Sequence, residues 1–314
     1  MSNNSLEGRV ALITGGARGI GKSIAESLAK KGSKIIIIDP GYSINGNHDD
    51  KNLAEKVSEE ISDKYAVETL AITKDVSNEE EVKNSIEVII KKFNNLDIVV
   101  NNAAIIRDGF IFKYSIEDWK KVIDTNLTGA FNIISETSKY LREQAKSDNT
   151  YSYGRIINII STAGIWGNYG QAAYASAKAG LIALTRVTAL DLQRSNIKCN
   201  AIAPFAATRV TESIKPQNEA QQTYKNSALK IDAKYVGDLT SYLASNDGAK
   251  YTGQIFGVRA KEVFLFNQSR PVFNFVRKET ENYHELKENF SKYFDENLTS
   301  LETDLEAFSK DPVT

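Results

Sequence analysis

Tyr174 and Lys178 stand four residues apart in Tyr174-Ala175-Ser176-Ala177-Lys178, so on a helix they share one face and can act on the same atom. A phenol works as an acid or base near neutral pH only when its phenolate is stabilised, and a neighbouring ammonium does this by lowering the phenol's pKa. Ser161, thirteen residues before Tyr174, follows the apolar run Ile156–Ile160 and carries a hydroxyl suited to orienting a carbonyl oxygen. Asn126, in Asn126-Leu127-Thr128-Gly129, adds an amide able to hold a backbone carbonyl or a water. A Tyr-x-x-x-Lys pair by itself is more often two surface helix residues, so its meaning depends on the company it keeps.

That company begins near the N-terminus. Thr14-Gly15-Gly16-Ala17-Arg18-Gly19-Ile20-Gly21 follows the apolar run Val10–Ile13 and opens a helix. Glycine permits the tight strand-to-helix turn and a close phosphate approach, and the helix start offers free N–H groups, so a dinucleotide pyrophosphate fits there. Asp39 ends the next apolar run, 18 positions after Gly21, where a carboxylate accepts hydrogen bonds from adenosine ribose hydroxyls and repels a 2′-phosphate. Pro40 stands where a phosphate-binding arginine would be expected, so NAD is favoured over NADP. Arg18 keeps NADP open, either meeting a 2′-phosphate or lying solvated at the helix start. Asp75-Val76 and Asn101-Asn102-Ala103-Ala104 follow two further apolar runs and are expected at the same end of the fold.

These groups need elements to position them. Short β-branched runs at Val10–Ile13, Ile35–Ile38, Leu70–Ile72, Ile98–Val100, Ile156–Ile160 and Lys198–Ile202 alternate with amphipathic helical stretches, and Gln254–Val258 and Val263–Phe266 suggest a last pair. Fully apolar strands separated by helices predict an α/β fold with a doubly wound parallel sheet, helices on both faces, and ligands at the carboxyl ends of the strands. Among 314 residues, 41% are hydrophobic and the net charge is −1, which predicts a soluble, cytoplasmic protein with no nucleic-acid or membrane partner. No apolar run approaches the roughly 18 residues of a membrane span. One cysteine, Cys199, and two histidines, His48 and His284, give neither an intrachain disulfide nor a Cys/His metal cluster, and no metal is expected.

From Lys278 to Thr314 the character changes, with ten acidic and four basic residues. Tyr283, Leu286, Phe290, Tyr293, Phe294, Leu298, Leu301, Leu305 and Phe308 nevertheless recur at helical steps, predicting one or two amphipathic helices. Such a tail should dock, either on its own domain or as a lid or subunit contact.

Together, the glycine turn, the Asn-Asn-Ala-Ala segment, the Asp75 position and the set Asn126, Ser161, Tyr174 and Lys178 resemble the short-chain dehydrogenase/reductase family over about Leu6 to Arg270. The resemblance implies a single Rossmann-like domain over residues 1–270, with a mobile substrate lid at about 205–234 and an acidic helical extension over 271–314. It implies Tyr174 as general acid/base and Lys178 as binder of the nicotinamide ribose and tuner of Tyr174. Ser161 becomes the substrate-orienting hydroxyl, and Asn126 the anchor of a proton-relay water. The cofactor set it implies is Gly15, Arg18, Gly19, Ile20, Gly21, Asp39, Asp75, Val76, Asn102, Ala103, Ala104, Tyr174, Lys178 and Pro204.

Asn102 to Asp108, Gly167 to Gln171, Ala203 to Arg209 and Gly253 to Arg259 are similar to the dehydrogenase unit of peroxisomal multifunctional enzymes and its single-domain bacterial relatives. That branch implies oxidation of a (3R)-hydroxyacyl-CoA to the 3-oxoacyl form with NAD, on an acyl-CoA or a similar hydrophobic alcohol or ketone. An NADP-dependent 3-oxoacyl or steroid reductase and a non-catalytic NAD-binding regulator are the alternatives. Ala104 departs from the family's usual glycine, and 144–153 reads as a polar insertion. Trp166 and Tyr169 are candidates for an acyl pocket or for plain aromatic packing. Arg259, Lys261, Arg270 and Arg277 are candidates for CoA phosphates or for solvated surface charge. A homodimer or homotetramer is expected through the helix of Ala172 to Leu190.

Overall fold

The structure, a computed structural model, describes residues 5–147, 153–207, 211–212, 215–280 and 282–313. The β-branched runs form β1 (Val10–Thr14), β2 (Lys34–Ile38), β3 (Thr69–Ile72), β4 (Ile98–Asn101), β5 (Gly154–Ile159), β6 (Ile197–Phe205), β7 (Ile255–Arg259) and β8 (Glu262–Phe266). They make one sheet in the order β3-β2-β1-β4-β5-β6-β7-β8. All neighbours are parallel except β7 and β8, whose hairpin turns at Ala260 in the left-handed region (φ 52°). The chain order reverses between β1 and β4, which opens a crevice at the carboxyl ends of these two strands.

Between the strands run α1 (Gly19–Ala29), α2 (Leu53–Tyr65), α3 (Glu79–Phe93), α4 (Ile116–Ile123), α5 (Gly129–Ser147), α6 (Ala163–Trp166), α7 (Ala172–Asp191), α8 (Glu219–Ala228) and α9 (Lys234–Ala244). Alternation along the strands sorts the core into two layers. Ala11, Ile13, Ile35 and Ile37 pack with Ile24 and Leu28 of α1 and Val236 of α9, while Leu12, Ile36 and Ile38 pack with Ile86 of α3 and Ile133 of α5. A sheet covered on both faces needs apolar residues at every strand position, which is why these strands read as continuous runs. Asp97 fixes the start of β4 against β1: its buried carboxylate accepts the Val10 N–H at 2.8 Å, Arg9 at 3.1 Å and Asn95 at 2.7 Å.

The tail forms α10 (Tyr283–Phe294) and the single turn α11 (Asp304–Ala307), both closed by capping boxes, from Asn282 and Thr303 respectively. The two behave differently. α10 buries no residue and gathers Phe290, Tyr293 and Phe294 around Phe275. α11 returns to the body of the domain, where Phe308 meets Phe205 and Trp166 edge-on at centroid distances of 4.7 and 5.4 Å. Of the expected lid, α8 and its flanks are described, while 208–210 and 213–214 lie outside the described residues, as do 148–152 of the polar insertion. Among the described residues no helix is long and apolar enough to cross a membrane.

Candidate active site

The turn from β1 to α1 is held in place by β4. Asn102 donates its side-chain N–H groups to the carbonyls of Thr14 and Gly15 at 3.1 and 2.9 Å, and the Thr14 hydroxyl accepts the N–H groups of Asn102 and Ala103 at 3.0 and 3.1 Å. The glycines are required by contact as well as by conformation. Gly15 has φ +61° and a Cβ there would lie 2.8 Å from Ala103 Cα; a Cβ at Gly21 would collide with the Gly15 carbonyl. Asp39, at the end of β2, is buried against this turn, its two oxygens accepting the N–H groups of Ala17 at 3.1 Å and Gly41 at 2.9 Å. Arg18 is committed to the loop after β2, pairing with Asp49 at 2.7 Å and donating to the Tyr42 carbonyl at 3.2 Å.

One cleft of about 320 Å³ is lined by every residue expected to hold a cofactor, and by Ser161, Tyr174 and Lys178 as well. Asn126 is the exception. It sits in a π-helical turn between α4 and α5, 1% exposed, and both ends of its amide are taken by one residue: its oxygen accepts the Ile105 N–H at 2.8 Å and its nitrogen donates to the Ile105 carbonyl at 2.9 Å. Asn126 thereby shapes the strand-end loop that forms the cleft wall and does not face the cleft itself.

Ser161 lies just beyond β5, which ends one residue earlier than the apolar run suggests. Tyr174 and Lys178 are on α7, with the ammonium 5.7 Å from the phenol ring centre. The expected lowering of the phenol's pKa by this lysine is not what the arrangement produces. Burial pushes Tyr174 up to about 12; Ser161 opposes this by hydrogen bonding, while the negative charges of Asp304 and Asp108 add to it. Lys178 is itself pushed down to about 8 by burial, and its Nζ donates to the Ile159 carbonyl at 2.8 Å. Desolvation is the largest influence on both groups.

The far end of the cleft holds residues that spacing did not reveal. Tyr224 of α8, Thr162, and Asp304 and Leu305 of α11 all line it. The Thr162 hydroxyl donates to Asp304 Oδ2 at 2.7 Å, and the Asp304 N–H donates to the Gly167 carbonyl at 3.2 Å. Burial lifts the Asp304 carboxyl to about 6 against the opposing hydrogen bond from Thr162. The amphipathic spacing of Leu305 and Phe308 was the one signal in the sequence that this segment docks. Of the two acyl-pocket candidates, Trp166 packs between Phe266 and Phe308, and Tyr169 is exposed; neither lines the cleft. Arg259 is not available to a CoA phosphate, because it pairs with Glu262 at 2.8 Å and donates to the Phe308 and Lys310 carbonyls at 3.2 and 2.7 Å.

The family model of the short chain dehydrogenases matches residues 9–222. A 3-oxoacyl-[acyl-carrier-protein] reductase of Synechocystis is 37% identical over 256 residues, which is 81% of this chain and 96% of that protein. Peroxisomal multifunctional enzyme type 2 of Drosophila melanogaster is 39% identical over 210 residues, 67% of this chain but only 33% of that longer protein. A crystal structure of a short chain dehydrogenase from Mycobacterium avium superposes with a TM-score of 0.79 at 28% identity, covering 92% of this chain and 95% of its own. With the glycine turn and the Ser161, Tyr174 and Lys178 side chains on one cleft, these matches mean that the chain belongs to the short-chain dehydrogenase/reductase family, enzymes that oxidise or reduce at CH–OH groups.

Proposed function

We propose that the protein interconverts a (3R)-hydroxyacyl-CoA and its 3-oxoacyl form with NAD. The observation that carries this reading is the single cleft with a glycine turn and Asp39 at one end and the Ser161 and Tyr174 hydroxyls at the other. The residues present suit a dinucleotide: Gly15 and Gly21 leave the turn open where a Cβ would fill it, and the N-terminus of α1 has no side-chain cap from Arg18, which leaves helix-start N–H groups to a ligand. Asp39 supports NAD because its carboxylate meets a 2′-phosphate with like charge, and Arg18, held by Asp49, does not counter it. Such a cofactor, when bound, supplies the hydride acceptor or donor.

The chain's own residues handle the oxygen. Ser161 donates to the substrate oxygen and aligns it; Tyr174 exchanges the proton on that oxygen; Lys178 holds the nicotinamide ribose from the same helix face. Asn126 keeps the Ile105 segment in place behind them. A second reading is reduction of a 3-oxoacyl thioester, with NADP in place of NAD. It is favoured by the relative named a 3-oxoacyl-[acyl-carrier-protein] reductase and by Tyr174, which at neutral pH carries the proton that a forming alkoxide needs.

The protein works as a cytoplasmic homodimer or homotetramer in this reading. Exposed Phe131 of α5 and Val187 of α7 flank a shallow apolar groove containing Gly180, which lets helices approach closely. The test is dinucleotide absorbance with (3R)- and (3S)-hydroxyacyl-CoA thioesters and steroid alcohols, run with NAD and NADP in parallel. Turnover of (3R) thioesters with NAD is expected, and Tyr174→Phe should lower kcat by about 10²- to 10⁴-fold while dinucleotide still binds. Turnover confined to steroids, or an unaffected Tyr174→Phe enzyme, would overturn the proposal.

A further inference from the structure

Asp304 places a carboxylate in the lining of the substrate end of the cleft. Asp304 lines the cleft, is 4% exposed, and makes one side-chain hydrogen bond, from Thr162, the residue next to Ser161; its Oδ1 has no hydrogen-bond partner. Among the described residues that line the cleft, the cations are Arg18, which belongs to the nucleotide end and pairs with Asp49, and Lys178, which donates to Ile159. Arg259 approaches from β7 but is neutralised by Glu262. Asp108, which accepts a hydrogen bond from Gln171 of the cleft lining and faces the charge of Lys215, adds a second negative charge that is felt at Tyr174.

Resting on the reading of this cleft as the site of alcohol oxidation, we infer that Asp304 sets a charge rule for the substrate. Secondary alcohols whose neighbouring carbonyl is an uncharged thioester, ester or amide are accepted, and the same alcohols ending in a free carboxylate are rejected. The reason is like-charge repulsion inside a water-poor wall, where two carboxylates interact far more strongly than at an exposed surface. The segment that carries Asp304 is built to keep it there. Asn218 of the α8 N-cap donates to Glu306, Ser227 of α8 donates to Asp311, and Phe308 is wedged against Phe205 and Trp166.

Protonation should relax the rule. The titratable groups that interact with Asp304 are Tyr174 from α7 and Tyr224 from α8, with the Thr162 hydroxyl before α6 donating to it; Arg259 from β7 acts on Tyr224. Both phenols are held protonated by burial, so neither competes with Asp304 for a proton near neutrality. Asp304 itself takes up a proton near pH 6, where a free substrate carboxylate remains ionised.

The test compares kcat/KM of the full chain, at saturating NAD, for the N-acetylcysteamine thioester of (R)-3-hydroxybutyrate and for (R)-3-hydroxybutyrate itself. The thioester should exceed the acid by at least about tenfold at pH 7.5, with a smaller ratio at pH 5.5. Asp304→Asn keeps an oxygen for Thr162 but removes the charge, and should bring the ratio close to its low-pH value at both pH values; a rate loss common to both substrates drops out. Thr162→Val breaks the hydrogen bond and keeps the carboxyl, whose pKa then rises, so it should retain the ratio when read at about pH 8.5, where the carboxyl is ionised. A wild-type enzyme that uses acid and thioester equally, or an Asp304→Asn ratio that does not move, would overturn the inference. So would a Thr162→Val variant that at this higher pH loses discrimination as Asp304→Asn does. If neither compound turns over with NAD or NADP, the acyl reading fails, and the charge rule is read by thermal shift in saturating NADH. Acetoacetamide should then protect more than acetoacetate, and equal protection would overturn the rule.

Discussion

Replacing Asp304 with Asn should make the protein more stable at neutral pH, although the substitution removes a hydrogen-bonded carboxylate. The carboxyl rises from an ordinary 3.8 to about 6 on folding, chiefly through burial. A group whose pKa is raised by folding stabilises the native state while protonated, and this contribution is lost as pH climbs from the unfolded value through the folded one. A shift of about 2.2 units at 1.36 kcal/mol per unit corresponds to about 3 kcal/mol lost across the window from about pH 4 to pH 6 and above. Between pH 5 and pH 7.5, a range the fold should tolerate, integration gives about 1.4 kcal/mol. Urea unfolding of wild type and Asp304→Asn at pH 5, 6, 6.5 and 7.5 isolates this contribution, because every other titrating group is common to both proteins. The variant should gain on wild type by about 1.4 kcal/mol as pH rises from 5 to 7.5. A difference that stays constant across this range, or one that changes in the opposite direction, would refute the assignment of a raised Asp304.

Gly21→Ala should abolish NADH binding, read by nucleotide fluorescence, because its Cβ would collide with the Gly15 carbonyl and Asn102; near-normal affinity would show that the turn can move. Asp97→Ala leaves the Val10 N–H and the Arg9 guanidinium without their buried partner, and should cost about 3 kcal/mol in urea unfolding. A loss below 1 kcal/mol on the same scale would mean that water replaces the carboxylate.

The sheet was legible because a strand buried on both faces must be apolar at consecutive positions, and runs such as Ile35 to Ile38 can do little else. The glycine-turn end of the cleft was legible for a different reason: Gly15, Gly21 and Asp39 are required by local backbone geometry, which spacing records directly. Asp304 was not legible. It meets Thr162 across 142 residues of sequence, and helical periodicity reports that a segment has an apolar face without naming the surface it will cover. Arg259 misleads for a related reason, since a side chain's charge is visible in sequence while the Glu262 and carbonyl partners that occupy it are fixed by folding. The high pKa of Tyr174 likewise depends on burial, which the four-residue spacing from Lys178 does not encode.

The β2 strand carries a consequence for the chain before it is folded. Lys34-Ile35-Ile36-Ile37-Ile38-Asp39 is a six-residue stretch of high β propensity whose edges are paired only once β1 and β3 have joined it, and whose four isoleucines are sheltered only once the helices have packed on both faces. Parallel pairing is slow to form, so this stretch spends part of folding exposed, and a charge at each end is what keeps copies from stacking into intermolecular strands. Asp39 therefore acts twice, as a charge that opposes stacking of the nascent chain and, in the finished one, as a carboxylate lining the end of the cleft where the nucleotide is proposed to bind. Any change of cofactor preference made by neutralising Asp39 removes half of that guard, and its cost falls on the yield of soluble protein before it reaches the reaction.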